Sequence, residues 1–136
     1  MNIEQIRKFV KKVNYNQDIR CVVVNKPNKH PLYIFKRIAK KVTNIRVIYI
    51  NNYSLKFNSS ILKSLLMHEV GHLHDHFRAK VACEYHAQVW AINRAIELGW
   101  VEMSEKLVYQ IVVEWAREKW HYKKASRKFV ERWGKK

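Results

Sequence analysis

The stretch Ser59-Ser60-Ile61-Leu62-Lys63-Ser64-Leu65-Leu66-Met67-His68-Glu69-Val70-Gly71-His72-Leu73 decides how this chain is read. Leu62, Leu66, Val70, Leu73 and Phe77 recur every three or four residues, and Ile61, Leu65, His68 and His72 make a second stripe. That spacing predicts a helix from about Ile61 to Phe77, capped by Ser59 or Asn58, with one stripe for a core and the other for a cleft. Inside it lies His68-Glu69-Val70-Gly71-His72, an HExxH sequence. Residues four apart on a helix share a face, so the two imidazoles can reach one ion. Glu69 stands about 100° round, where it can touch a metal-bound water without ligating. The plain alternative makes His68 and His72 ordinary half-buried histidines and Glu69 a surface carboxylate; the helical setting weighs against it. Gly71 costs the helix about 1 kcal/mol relative to Ala, which makes sense where a backbone or substrate must come close.

A hydrolytic zinc needs a third protein ligand and an open fourth position. Glu84 is the best candidate. It falls near the start of a following helix expected from about Lys80 to Leu98, on a face shared with Gln88, Ala91 and Ala95, where small residues permit close packing. Its plain reading is an acid in a helix first turn, favoured by the helix dipole. The competitors are His74, Asp75, His76 and His86. His68 and His76 are about 12 Å apart along a helix axis, so they share an ion only if the helix ends between them. The pair His72 and His76 has Leu73 where a base is needed, and His86 lies about 200° from Glu84.

Around this centre the pattern predicts an α+β fold: a short β-sheet from the first half, packed on the HExxH helix and the helices that follow. Ile3, Ile6, Val10 and Val13 mark a basic amphipathic helix, and Ile19 to Val24 a strand ended by Asn25-Lys26-Pro27-Asn28. Pro31 opens a helix running to about Val42, with Ile34, Ile38 and Val42 on one face. Ile45 to Ile50 is a second strand, closed by Asn51-Asn52, whose edge is a candidate seat for an extended substrate backbone; a fully paired strand is the equal alternative. Gly99 stops the helix after Glu84. Ser104 and Lys106 follow a break, and a third long helix through Leu107, Ile111, Trp115 and Lys119 carries the chain into a basic, aromatic segment from about residue 117.

A chain of 136 residues, 48% hydrophobic, has length for one ordinary core, so a single domain over residues 1–136 is expected. Three Gly, two Pro and no low-complexity tract leave no place for a linker. The chain shows neither a signal-peptide pattern nor a membrane-length apolar run, and a cytoplasmic, membrane-free protein is expected. Cys21 and Cys83 read as reduced, half-buried thiols. With 27 Lys and Arg against 11 Asp and Glu, the formal charge is +16. The charge favours acidic partners and polyanions without establishing any. It concentrates between Arg117 and Lys136, where nine basic residues face two Glu and alternate with Trp120, Tyr122, Phe129 and Trp133. The segment is a candidate contact for a polyanion or nucleic acid; helix-face packing is the plain reading of its aromatics.

His68-Glu69-xx-His72, followed after eleven intervening residues by Glu84-Tyr85-His86-Ala87-Gln88-Val89-Trp90-Ala91, resembles the gluzincin group of zinc metallopeptidases. The likeness is to its smallest members, the minigluzincins, and to the ImmA/IrrE-type peptidase domains. It is specific over Ser59 to Ala95 and architectural before that. It implies a zincin-like domain in which zinc is held by His68, His72 and Glu84 and Glu69 is the catalytic base. Ala87 matches the alanine that commonly follows the third ligand by three. Gln88 stands where many gluzincins carry an Asp, so a second-shell bond from it is open. The metzincin extension fails at Asp75 and Arg78. The implied activity is hydrolysis of a peptide or protein substrate by a metal-activated water; Tyr109 and His121 are oxyanion candidates by type alone. The rival is a basic binding module for nucleic acid or an acidic partner, with a structural or silent zinc site.

Overall fold

A computed structural model describes residues 1–26, 31–39, 42–74 and 80–133. The chain forms two compact units, Met1–Leu73 and His74–Lys136.

The first unit opens with helix α1 (Ile3–Val13), started by a capping box: the Asn2 side chain accepts from the Gln5 backbone and Gln5 returns the bond. Ile6, Val10 and Val13 are fully buried, as their spacing predicts. At its C-terminus the Asn16 N–H donates to the Lys11 carbonyl at 2.8 Å, while Tyr15 and Asn16 adopt φ of 56° and 63°. This helix-closing motif usually uses Gly. A tyrosine in that conformation costs about 1–2 kcal/mol, which the bonded turn offsets.

Strands β1 (Arg20–Val24), β2 (Leu32–Ala39) and β3 (Val42–Asn51) form a sheet in the order β1-β3-β2. β1 runs parallel to β3, with Cys21 opposite Ile48; β2 runs antiparallel, with Leu32 opposite Ile50. One expectation is corrected here. The helix expected from Pro31 to Val42 is strand β2. Its four-residue spacing of Ile34 and Ile38 is also an even spacing along a strand, and the β-branched and aromatic run Tyr33-Ile34-Phe35 pairs with β3. Of the two readings of the Ile45–Ile50 strand, the fully paired one is observed: β3 is central and paired on both sides. Asn51 is fully buried, and it is a junction. Its Oδ1 accepts from the Lys26 N–H at 2.9 Å. Its own N–H donates to the Pro31 carbonyl at 2.8 Å, and its carbonyl accepts from the Ser54 hydroxyl at 2.7 Å. The expected strand terminator at Pro27 and Asn28 lies outside the described residues.

A 3-10 turn (Asn52–Lys56) leads to helix α2 (Ser59–Leu73). Of the two expected caps, Asn58 serves: its Oδ1 accepts from the Ser60 N–H at 2.9 Å. Leu62, Leu66, Val70 and Leu73 are buried, so the predicted apolar stripe faces the core. Phe77, the expected helix end, lies outside the described residues. α2 packs on β2 and on α1, where Lys63 Nζ lies 5.7 Å from the Phe9 ring centre.

The second unit comprises α3 (Lys80–Glu97), α4 (Val101–Tyr109) and α5 (Trp120–Trp133), so the described residues hold five α-helices and a three-stranded sheet, an α+β fold. Gly99, at φ 73°, ends α3 where expected, and the Trp100 N–H closes on the Ala95 carbonyl at 2.9 Å. The third helix departs from expectation. After the break at Gly99 it begins at Val101, with the Ser104 hydroxyl bonded back to the Val101 carbonyl. It then widens into a π turn over Gln110–Glu114, tightens to 3-10 over Trp115–Arg117 and ends before α5. Gln88, fully buried on α3, meets it there: its Nε2 donates to the Leu107 carbonyl at 2.8 Å and to Gln110 Oε1 at 3.3 Å. A side chain inserted into the i→i−4 ladder is a recognised origin of such widening. α5 packs on α3 and on the turns that follow α4, burying Ala125, Ser126 and Phe129, and the Ser126 hydroxyl donates to the Val112 carbonyl at 3.4 Å. Among the described residues no helix is long and apolar enough to cross a membrane.

Candidate metal centre

α2 carries His68, Glu69 and His72 in its last turns. His72 is buried, while His68 and Glu69 are half-buried. The buried Leu62, Leu66, Val70 and Leu73 fix the rotation of the helix, and with it the side on which the histidines lie. Their Nε2 atoms are 3.0 Å apart and their rings meet edge to face, with centres 4.6 Å apart and planes at 88°. One ligand atom from each of the three residues lies within 4.8 Å of the other two, and this is the only such group of three His, Cys, Asp or Glu among the described residues.

The donor set suits a divalent transition metal. At Zn–N of about 2.0–2.1 Å, a tetrahedral ion holds two ligand nitrogens about 3.3 Å apart. The observed 3.0 Å is a few tenths of an ångström short of that, a gap small side-chain rotations close. Imidazole nitrogens are among the ligands that zinc takes most readily, and the Glu69 carboxylate beside them is placed to receive a proton from a bound water. Without an ion, one imidazole N–H can donate to its neighbour's bare nitrogen, so the buried pair is satisfied either way.

Glu84 stands on α3, half-buried, in the second unit. Of the competing ligands, His74 is exposed and stacked on Trp90, with ring centres 4.6 Å apart and planes at 9°. His86 is half-buried and edge-on to Tyr85; Asp75 and His76 lie outside the described residues. The Gln88 amide nitrogen, a candidate second-shell donor, is engaged with α4 and Gln110. The oxyanion candidates are both on the second unit: Tyr109 is exposed, and His121 lies against Trp120 and Tyr122.

Cys21 is buried on β1, and desolvation pushes its thiol up to about 11, opposed by the Arg7 charge. It is an inert packing thiol rather than a nucleophile. An open groove of about 690 Å³ runs beside it, lined by Ile3, Arg7 and Ile19 to Val23 among others, and includes none of the three α2 residues. This groove has no signature in the sequence, because its walls come from residues fifteen or so apart along the chain whose meeting is set by the α1–β1 turn.

Compared with protein-family models, with curated proteins and with solved structures, the chain matches none. The local geometry of α2 therefore carries the functional argument.

Proposed function

We propose that the protein is a zinc-dependent metallopeptidase of gluzincin type on a zincin-like fold, acting in the cytoplasm. The observation that supports it most is the convergence of His68, Glu69 and His72 within 4.8 Å on one buried helix end. His68 and His72 would hold the ion, with Glu84 as third ligand. Bound zinc would supply Lewis acidity and a water acidified toward a pKa of ~7.

The remaining chemistry belongs to the chain. Glu69 accepts the water's proton on a carboxylate oxygen and then gives it to the departing amine, so the base of the first step is the acid of the second. The packed stripe of α2 holds the two imidazoles in register, so their alignment is set before any substrate arrives. An extended substrate backbone would add to β2 rather than β3. β2 is an outer strand of the sheet and α2 packs against it.

The test separates the two glutamates. Glu69→Gln should keep zinc at near-wild-type stoichiometry after dialysis and lose hydrolysis of an unfolded protein substrate. Glu84→Ala should lose both, with zinc affinity down by orders of magnitude. Hydrolysis by Glu69→Gln would overturn the mechanism. Normal zinc retention by Glu84→Ala would move the third ligand to His74, Asp75, His76 or His86.

A further inference from the structure

The basic segment forms helix α5. α5 is part of the second unit's core, and this sorts its residues into two faces. Ala125, Ser126 and Phe129 are buried, and Phe129 stacks on Trp133 with centres 5.1 Å apart. On the half of the helix circumference turned away from them stand Lys123, Arg127, Lys124 and Lys128, with Arg132 at its margin beside Ala125, in rows repeating every four residues, about 6 Å along the axis. All are exposed except the half-buried Lys128. Among the described residues none of the five has an acidic partner; Lys128 and Arg132 lie over the Tyr85 ring instead, at 4.5 and 5.7 Å. Glu131 is the one acid on that face. Trp120 stands at its start, 61% exposed, with Lys124 Nζ 5.2 Å from its ring centre.

We propose that this face of α5 binds single-stranded nucleic acid, with Trp120 as the stacking platform and the lysine and arginine rows on the phosphates. The unpaired cations repel one another in the free protein, and a polyanion relieves that repulsion while releasing its own counterions. The exposed indole narrows the class of partner. Every base offers a π face for stacking, but only an unpaired one is free to use it, which disfavours a duplex. An acidic protein would satisfy the cations and leave the indole without a role. A membrane-surface helix needs its apolar face free for lipid, and here that face is buried against α3. Lys124 exchanges the ring for a phosphate when a base arrives, which places a cation beside the stacked nucleotide.

The probe is a fluorescein-labelled oligo-dT of roughly 16 nucleotides, the upper end of known single-strand site sizes, read by anisotropy. Its affinity should fall with salt with a log–log slope of about −2 to −3, as three or four phosphate contacts require. Lys123→Glu with Arg127→Glu should weaken binding about tenfold or more. A control carrying the same charge change on the first unit, Lys8→Glu with Lys56→Glu, should weaken it by less than about threefold. Trp120→Ala, at an exposed position, should cost at least about fivefold with oligo-dT and leave duplex binding unchanged, with circular dichroism confirming the fold of each variant. Equal losses in the two double variants would reduce the effect to net charge and overturn the proposal. So would an unaltered affinity in Trp120→Ala, or tighter binding to duplex DNA or to anionic phosphatidylserine vesicles than to oligo-dT.

Discussion

Zinc should stabilise the folded chain through the His68–His72 pair, and the size of the effect can be worked out in advance. The two Nε2 atoms already stand 3.0 Å apart, so binding needs no rearrangement of α2 and its free energy passes into folding stability. At free zinc one hundred times the dissociation constant, the gain is about 2.7 kcal/mol. For a cooperative unit of some 60–100 residues, each kcal/mol moves the melting temperature by roughly 4–8 °C. The expected rise is therefore about 10–20 °C, followed by circular dichroism at 222 nm in chelated protein and then in protein titrated with zinc. His72→Ala should abolish the rise, because one imidazole is a weak ligand, and Glu69→Gln should keep it. The chelated wild type should stay helical at moderate temperature, since Ile6, Val10, Ile48, Ile50, Leu62, Leu66 and Val70 are buried without help from any ion. A rise of the same size in His72→Ala would refute the assignment of the metal to this pair. Collapse of the helical signal on chelation would turn the site into a structural one.

Two further outcomes test the rest of the molecule. Gln88→Leu keeps most of the buried volume but leaves the Leu107 carbonyl and Gln110 without their buried donor; a loss of about 1–3 kcal/mol is expected by urea denaturation, and an unchanged midpoint would show that the π turn does not depend on Gln88. The Cys21 thiol is neutral in the fold up to about pH 11, whereas in the unfolded chain it ionises from its ordinary value of 9.0. Above pH 9 the unfolded state loses its proton first, so the contribution of Cys21 to stability is complete below pH 9 and falls between 9 and 11. Cys21→Ala should flatten that part of the stability profile, and a profile identical to wild type would contradict the assignment.

Much of the fold was legible because one face of each element is buried by one kind of residue. α1 announced itself through Ile6, Val10 and Val13, α2 through Leu62, Leu66, Val70 and Leu73, and the end of α3 through Gly99, whose positive φ few other residues accept. β2 was misread because Ile34 and Ile38 satisfy two periods at once, and only pairing with β3 chooses between them. The position of β3 in the middle of the sheet was equally invisible. Strand order depends on which partners are available, and the buried Asn51 gives no local sign that it ties Lys26, Pro31 and Ser54 together. The end of α4 meets a distant partner as well: Gln88, nineteen residues before the carbonyl to which it donates.

The same distinction separates the parts of the candidate site. His68, Glu69 and His72 lie within five consecutive residues of one helix, so helical geometry alone brings them together, and the structure places them as that geometry requires. Glu84 belongs to another helix, and no local rule connects it to the pair; its role rests on the family resemblance and on the chemical need for a third ligand. Metal retention in Glu84→Ala is for that reason the measurement with the most leverage. The basic helix makes the complementary point. Charge counted along the sequence marked a candidate polyanion contact without placing it, whereas the burial of Ala125, Ser126 and Phe129 anchors the segment and sets its cations and Trp120 on one surface. A rigid array of charges loses little conformational entropy on binding, and that makes it a better candidate for recognition than a disordered run of the same composition.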